Sequence, residues 1–325
     1  MERSDKMFQL TEEIKGAKTI GISGHIRPDG DCVGSCMALY LYLKKCTAPD
    51  TEVTVYLEQP SDIFREIQGI GEIRTEAEEK VYDVFFALDC ENSRLGFAEP
   101  LFFAAKKKIN IDHHISNRGC GNVNYVDASV GSTSELIYDL LDRKLLDAEI
   151  AKAIYIGMIH DTGVFQYSNT SPKTLRIAAD LLEYGFDFSR LIEKTFYEKT
   201  YVQNQIMGRA LLESFLFLNG KCIVSAVDKK LMDFYNVTPK DLDGIVNQLR
   251  NCKDVECAVF MYQTGGLEYK VSMRSTDKVD VAQIAAFFGG GGHKKAAGCT
   301  MSGTFHDVIN NLSLHIEKQL NEEKQ

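Results

Sequence analysis

The chain has 325 residues, 44% of them hydrophobic and 26% charged, with a formal net charge of -9, a size that accommodates two domains, each with its own core. The acidic balance and the lack of basic stripes exclude a protein that grips long nucleic acid through its phosphate backbone. No long uncharged apolar run suggests a membrane span, the charged amphipathic start lacks a signal-peptide core, and nine scattered cysteines without Cys-x-x-Cys pairs form neither a disulfide framework nor a zinc knuckle; the expectation is a protein of the reducing cytoplasm with no membrane partner.

In chain order, strand-like runs at 19–23, 52–57, 83–88, 108–111 and 124–126 are interspersed with helical patterns at 34–45, 132–143 and 148–165. Such an order predicts an α/β domain with a mainly parallel sheet and flanking helices. Residues 171–213 read as charged helices without strands. A second set of strands follows at 215–218, 221–227, 255–263 and 269–274, with helical patterns at 228–235 and 240–251. A helix at 279–288 then runs into Gly-Gly-Gly-Gly-His, and a last amphipathic helix starts near His306. The predicted organisation is a first domain over 1–190, a helical linker over 191–213, and a smaller α/β domain with a mixed sheet over 214–325. Cys32, Cys36, Cys222 and Cys257 sit in apolar runs and read as small core residues.

Carboxylates recur at strand ends. Asp29 and Asp31 follow the first strand, Asp89 ends "DVFFALD", and Asp112-His113-His114 follows "KKKINI". In an open α/β sheet, ligands bind outside the carboxyl ends of the strands. A single Asp there is an ordinary cap or turn residue; three such ends, with His25 and His113 among them, are not explained by turns. Asp161 lies in the apolar run "AIYIGMIHDTGVF", where an ionised carboxylate is costly unless paired or bound to metal. Its neighbour His160 reads as core or as a residue behind the ligands, and is not counted among them. His25, Asp29, Asp31, Asp89, His113 and Asp161 therefore form a mixed oxygen and nitrogen set without thiolate, suited to Mn2+ or Mg2+. The set is too large for one ion with an open position. Two ions bridged by a shared carboxylate, ~3.5–4 Å apart in such centres, typically clamp an in-line displacement at phosphorus.

In the second half, Arg274 ends a strand and offers a fork for phosphate oxygens. Glycines at 289–292 let backbone N–H groups approach a ligand closely, although a flexible linker is an alternative reading.

The spaced pattern His25-x-x-Pro28-Asp29-x-Asp31-x-x-Gly34-Ser35, then Asp89, then Asp112-His113-His114, then Asp161 resembles the four motifs of the DHH phosphoesterase superfamily. The segment around Arg274 and Gly289–His293 resembles its DHH-associated C-terminal domain, and the layout is most similar to the branch of oligoribonucleases (nano-RNases) and pAp phosphatases. The resemblance implies one metal on His25, Asp29 and Asp89, and another on Asp31, Asp89, His113 and Asp161, with Asp89 bridging. It further implies that Asp112 orients the histidines, that His114 faces the substrate phosphate in a catalytic role, and that Arg274, Gly290, Gly291, Gly292 and His293 hold substrate across a cleft between the domains. The expected partners are short RNA oligonucleotides or nucleotides and not long nucleic acid; a homodimer is left open. A cyclic-di-AMP- or pApA-specific phosphodiesterase is the first alternative, and an inorganic pyrophosphatase and a non-catalytic nucleotide sensor are the further rival readings.

Overall fold

The structure, a computed structural model, describes residues 9–322, which divide into two compact units between Glu198 and Lys199. The first eight residues, part of the charged start over 1–18 that suggests no signal peptide, lie outside the described residues.

In the first unit a short helix α1 (Leu10–Glu13) precedes strands β1 (Thr19–Ser23), β2 (Glu52–Tyr56), β3 (Val84–Leu88), β4 (Lys107–Asp112) and β5 (Val123–Val126). They form one sheet in the order β2-β1-β3-β4-β5, parallel throughout. All five residues of β3, VFFAL, are buried, as expected of a parallel strand covered on both faces. On one face Ile20, Ile22, Val84 and Phe86 pack in a core that includes residues of α2 (Gly30–Cys46), α4 (Thr133–Leu140) and α5 (Ala148–Asp161). On the other, Tyr56, Phe85 and Ala87 pack with residues of α3 (Glu99–Ala104). Helices α6 (Pro172–Leu182) and α7 (Phe188–Ile192) complete the unit.

The parallel sheet is the one expected, and α2, α4 and α5 lie on the predicted segments with shifted ends, whereas α1 and α3, the helix on the second face, are not among those expected. Helix α2 starts at Gly30 because the Asp29 side chain caps it, accepting from the N–H groups of Asp31 and Cys32. Helix α5 stops at Asp161, and beyond it Gly163, Val164 and Phe165 turn left-handed. Helices α2 and α5 touch backbone to backbone: a β-carbon on Gly34 would stand 2.6 Å from the Ala153 carbonyl and 2.7 Å from the Gly157 nitrogen.

The second unit opens with α8 (Tyr201–Leu212), followed by β6 (Phe215–Phe217), β7 (Cys222–Val227), α9 (Lys229–Tyr235), α10 (Ile245–Arg250), β8 (Cys257–Gly265) and β9 (Glu268–Ser275). Then come α11 (Val281–Phe287), β10 (Gly291–His293), β11 (Ala296–Ser302) and α12 (Phe305–Glu322). Its mixed sheet runs β10-β11-β9-β8-β7-β6, with β7 and β8 parallel and the other pairs antiparallel. Ile206 and Ala210 of α8 pack with Ile223, Ala258 and Phe260 in one core, while Val224, Val259 and Val271 face another with residues of α11 and α12.

The glycine run is not the flexible linker of the alternative reading: Gly291–His293 is a strand, paired antiparallel with β11. Close approach explains two of the glycines. A β-carbon on Gly290 would lie 2.2 Å from the Gly298 carbonyl oxygen, and one on Gly292, at φ +145°, 2.4 Å from that of Ala296. Among the described residues no helix is long and apolar enough to cross a membrane.

Candidate metal centre

The carboxyl ends of β1, β3 and β4 open onto one rim, and the grouped residues lie on it. His25 follows β1. Asp29 caps α2 and Asp31 occupies its first turn. Asp89 follows β3 directly, Asp112 ends β4 with His113 and His114 next in the chain, and Asp161 is the last residue of α5.

His25 is buried. Its Nδ1 lies 2.9 Å from the Ile26 carbonyl oxygen; a carbonyl only accepts, so Nδ1 carries the proton. Nε2 faces Asp29 Oδ1 at 3.6 Å and Asp89 Oδ2 at 3.4 Å. His113 Nε2 lies 3.0 Å from Asp161 Oδ2, 3.6 Å from Asp89 Oδ1 and 4.0 Å from Asp31 Oδ2. Asp89 thus stands between the two imidazoles. It is buried, and its backbone is left-handed at φ +59°, a conformation costing a non-glycine residue roughly 1–2 kcal/mol but tolerated by Asp and Asn.

His114 Nδ1 donates to Asp112 Oδ1 at 2.7 Å. Asp112 is held in turn by Asn117, whose Nδ2 donates to Asp112 Oδ2 at 2.5 Å and to Asn110 Oδ1 at 3.0 Å. This is the arrangement in which a buried carboxylate orients an imidazole. His160 instead packs edge-on against Phe64 and Phe196, with ring centroids 5.2 Å and 5.6 Å away.

The field at this rim calls for positive charge. Burial pushes the Asp31 carboxyl well above the usual range, and the Asp89 and Asp161 charges add to the shift; burial likewise raises Asp89. Burial alone would discharge the imidazoles, yet Asp29 and Asp89 outweigh it at His25, pushing it up to about 12. At His113 burial is overcome by Asp161, Asp31 and Asp89, giving about 10. Divalent cations meet the same demand through hard oxygens and imidazole nitrogens, so the residues present fit a metal centre. Among the described residues three groups bring ligand atoms within 4.8 Å of one another: His25, Cys32 and Asp89; Asp89, His113 and His114; Asp31, His113 and Asp161. Burial keeps the Cys32 thiol far above its ordinary pKa, as expected of a core cysteine.

The other candidates lie in the second unit and are brought near one another there. Ala296 pairs with Arg274 on β9 and with His293 on β10, so the three residues occupy one row across three adjacent strands. Arg274 Nε donates to Asn247 Oδ1 on α10 at 3.1 Å, and its Nη1 to the Met273 carbonyl at 3.0 Å. Gly291 needs no explanation from packing, because a β-carbon there would meet nothing within 4 Å.

Contributors were missed at two places, Asn117 behind Asp112 and the start of α4. At the start of α4, Thr133 N donates to Asp31 Oδ2 at 2.6 Å and Thr133 Oγ1 to Asp89 Oδ1 at 3.0 Å. The pattern Ser132-x-x-Glu135 ahead of an apolar run is a helix-start signal that marks this terminus but not the carboxylates it faces.

Comparison with known proteins gives matches over both units. Residues 19–158 match the DHH family, N-terminal domain, and residues 219–322 the DHHA1 domain. The bifunctional oligoribonuclease and PAP phosphatase NrnA of Thermus thermophilus is 31% identical over 92% of this chain and 89% of its own length. That of Bacillus subtilis is 28% identical over 90% of this chain and 92% of its own. An exopolyphosphatase-related protein from Bacteroides fragilis superposes with a TM-score of 0.87 at 26% identity, covering 97% of this chain and 96% of the other. RecJ of Thermus thermophilus, crystallised with Mn2+, shares the fold with a TM-score of 0.53 at 15% identity, over 94% of this chain and 52% of its own. The chain belongs to the DHH family of phosphoesterases, pairing a DHH with a DHHA1 domain and related to the NrnA enzymes.

Proposed function

We propose that the protein hydrolyses very short oligoribonucleotides, pApA among them, to mononucleotides, and removes the 3′ phosphate of pAp, with two divalent ions, Mn2+ ahead of Mg2+. The observation that carries this reading is Asp89, with Oδ2 3.4 Å from His25 and Oδ1 3.6 Å from His113: one buried carboxylate turns a separate oxygen toward each of two imidazoles, an arrangement that suits a ligand shared by two ions. In this reading His25, Asp29 and Asp89 hold one ion, and Asp31, Asp89, His113 and Asp161 the other. Bound there, the ions would supply Lewis acidity for attack of water on phosphorus.

The chain's own groups do the rest. The Asp112 carboxylate favours the charged form of His114, which makes that imidazole a donor to a phosphoryl oxygen as negative charge grows there. Arg274 and His293 bind phosphate, and the strand Gly291–His293 offers backbone to a base or phosphate. Substrate class is supported by the Thermus and Bacillus relatives, whose names give oligoribonuclease and PAP phosphatase activities.

The test is turnover of pAp, pApA, a short RNA and pyrophosphate side by side, with Mn2+ and after EDTA. Dinucleotides and pAp should be cleaved with Mn2+ and spared with EDTA. Faster turnover of pyrophosphate or polyphosphate than of dinucleotides, or nucleotide binding without cleavage, would overturn the reading.

A further inference from the structure

Thr133 contacts two carboxylates that reach the centre from different elements. Its N–H and that of Ser134 donate to the two oxygens of Asp31, at 2.6 Å and 2.9 Å, so the start of α4 grips that carboxylate from both sides. Its hydroxyl donates to Asp89 Oδ1 at 3.0 Å, the same oxygen that lies 3.6 Å from His113. Thr133 and Asp31 are fully buried and Asp89 is 2% exposed, so these donors do not compete with bulk water.

The helix start is itself pinned. Ser132 Oγ accepts from the Glu135 N–H, and buried Glu135 accepts from Gly131 N at 3.2 Å and from Thr174 Oγ1 at 2.9 Å. Moving Thr133 would strand several buried polar groups, each costly without its partner.

We infer that Thr133 is a positioning residue of the metal centre. Its amide fixes the Asp31 carboxylate and its hydroxyl the Asp89 carboxylate, so one residue sets how the two face each other. The inference rests on reading the cluster as a divalent-metal centre. It assigns Thr133 no contact with substrate.

Thr133→Val keeps the shape and the amide but removes the hydroxyl, Thr133→Ser restores it, and Thr133→Ala removes it without the bulk. Mn2+ binding to the metal-stripped full chain is measured by titration calorimetry, with thermal unfolding as the folding control. The donor-less variants should bind Mn2+ about 10- to 100-fold more weakly, the usual cost of losing a partner that orients a ligand. The serine variant should stay within a few-fold of wild type. Folded valine or alanine variants with wild-type affinity overturn the role, as does a serine variant as weak as valine. Because the readout is metal affinity, a wild type that binds Mn2+ but leaves dinucleotides intact sinks only the substrate reading. A wild type that binds no divalent ion sinks the centre and this role together.

Discussion

Gly157 on α5 lies so close to Asp31 on α2 that a β-carbon on the glycine would stand 2.7 Å from the carboxylate Oδ1. The same carbon would stand 1.9 Å from Ser134 Oγ on α4. Three helices therefore meet at a point where any side chain displaces Asp31. Gly157→Ala should lower unfolding free energy by roughly 1–3 kcal/mol through overpacking and weaken Mn2+ binding. Urea unfolding and calorimetry check both. An unchanged variant would mean that the α2–α5 contact has slack.

Asp89 separates chemistry from folding. Asparagine accepts the left-handed backbone at φ +59° but gives up the charge. Asp89→Asn should fold, lose turnover of every substrate, and lose the rise in Tm that Mn2+ gives a metal-binding native state. Asp89→Ala should lose the same activity and be about 1 kcal/mol less stable than the asparagine variant, because alanine is strained there. Near-native turnover in either folded variant rules out Asp89 as the shared ligand.

Substrate length is the third test. With a net charge of -9, the chain has little to gain from extra phosphates, since few counterions are released on binding. Turnover should fall as an oligonucleotide grows beyond a few residues, and the affinity of a dinucleotide should depend only weakly on salt. Undiminished degradation of long single strands contradicts this.

Arg274 and His293 should contribute to substrate binding alone. Arg274→Ala and His293→Ala should leave Mn2+ affinity intact and reduce kcat/KM on dinucleotides by about 10- to 100-fold, the size expected for a lost charge-assisted contact. A small activated phosphodiester should suffer less. Loss of bound metal in either variant contradicts the assignment.

The glycine run divides by the same logic. Gly292→Ala, which would collide with the Ala296 carbonyl, should destabilise the hairpin by roughly 1–3 kcal/mol. Gly291→Ala meets no protein atom within 4 Å, so it should unfold like wild type and raise KM if a ligand lies against that backbone. An unchanged KM removes Gly291 from the substrate site.

Sequence pattern carried the parallel sheet, because runs such as VFFAL at 84–88 are apolar at every position and are bounded by polar ends. It also carried the carboxylates, since an Asp at the end of such a run is conspicuous. The β10–β11 hairpin was hidden: glycine and alanine lack the β-branched side chains that mark a strand, and pairing partners, not local preference, make Gly291–His293 extended. Thr133 was hidden for another reason. Its contacts with Asp31 and Asp89 cross from one element to two others, and spacing along the chain does not reveal which carboxylates a helix start will meet.

Candidate ligands at the rim enter the chain in an uneven sequence. His25, Asp29 and Asp31 come with the first strand and helix, Asp89 and His113 with the third and fourth strands, and Asp161 only at the end of α5. During synthesis domains fold as units and from the N-terminal side, so a nascent chain that has grown past β4 holds most of the set but not its last carboxylate. It also lacks the Gly157 backbone against which α2 must dock. In the reading proposed, metal capture is therefore a late event, timed by the emergence of α5, and an unfinished chain offers an ion only a partial and unbraced set of donors.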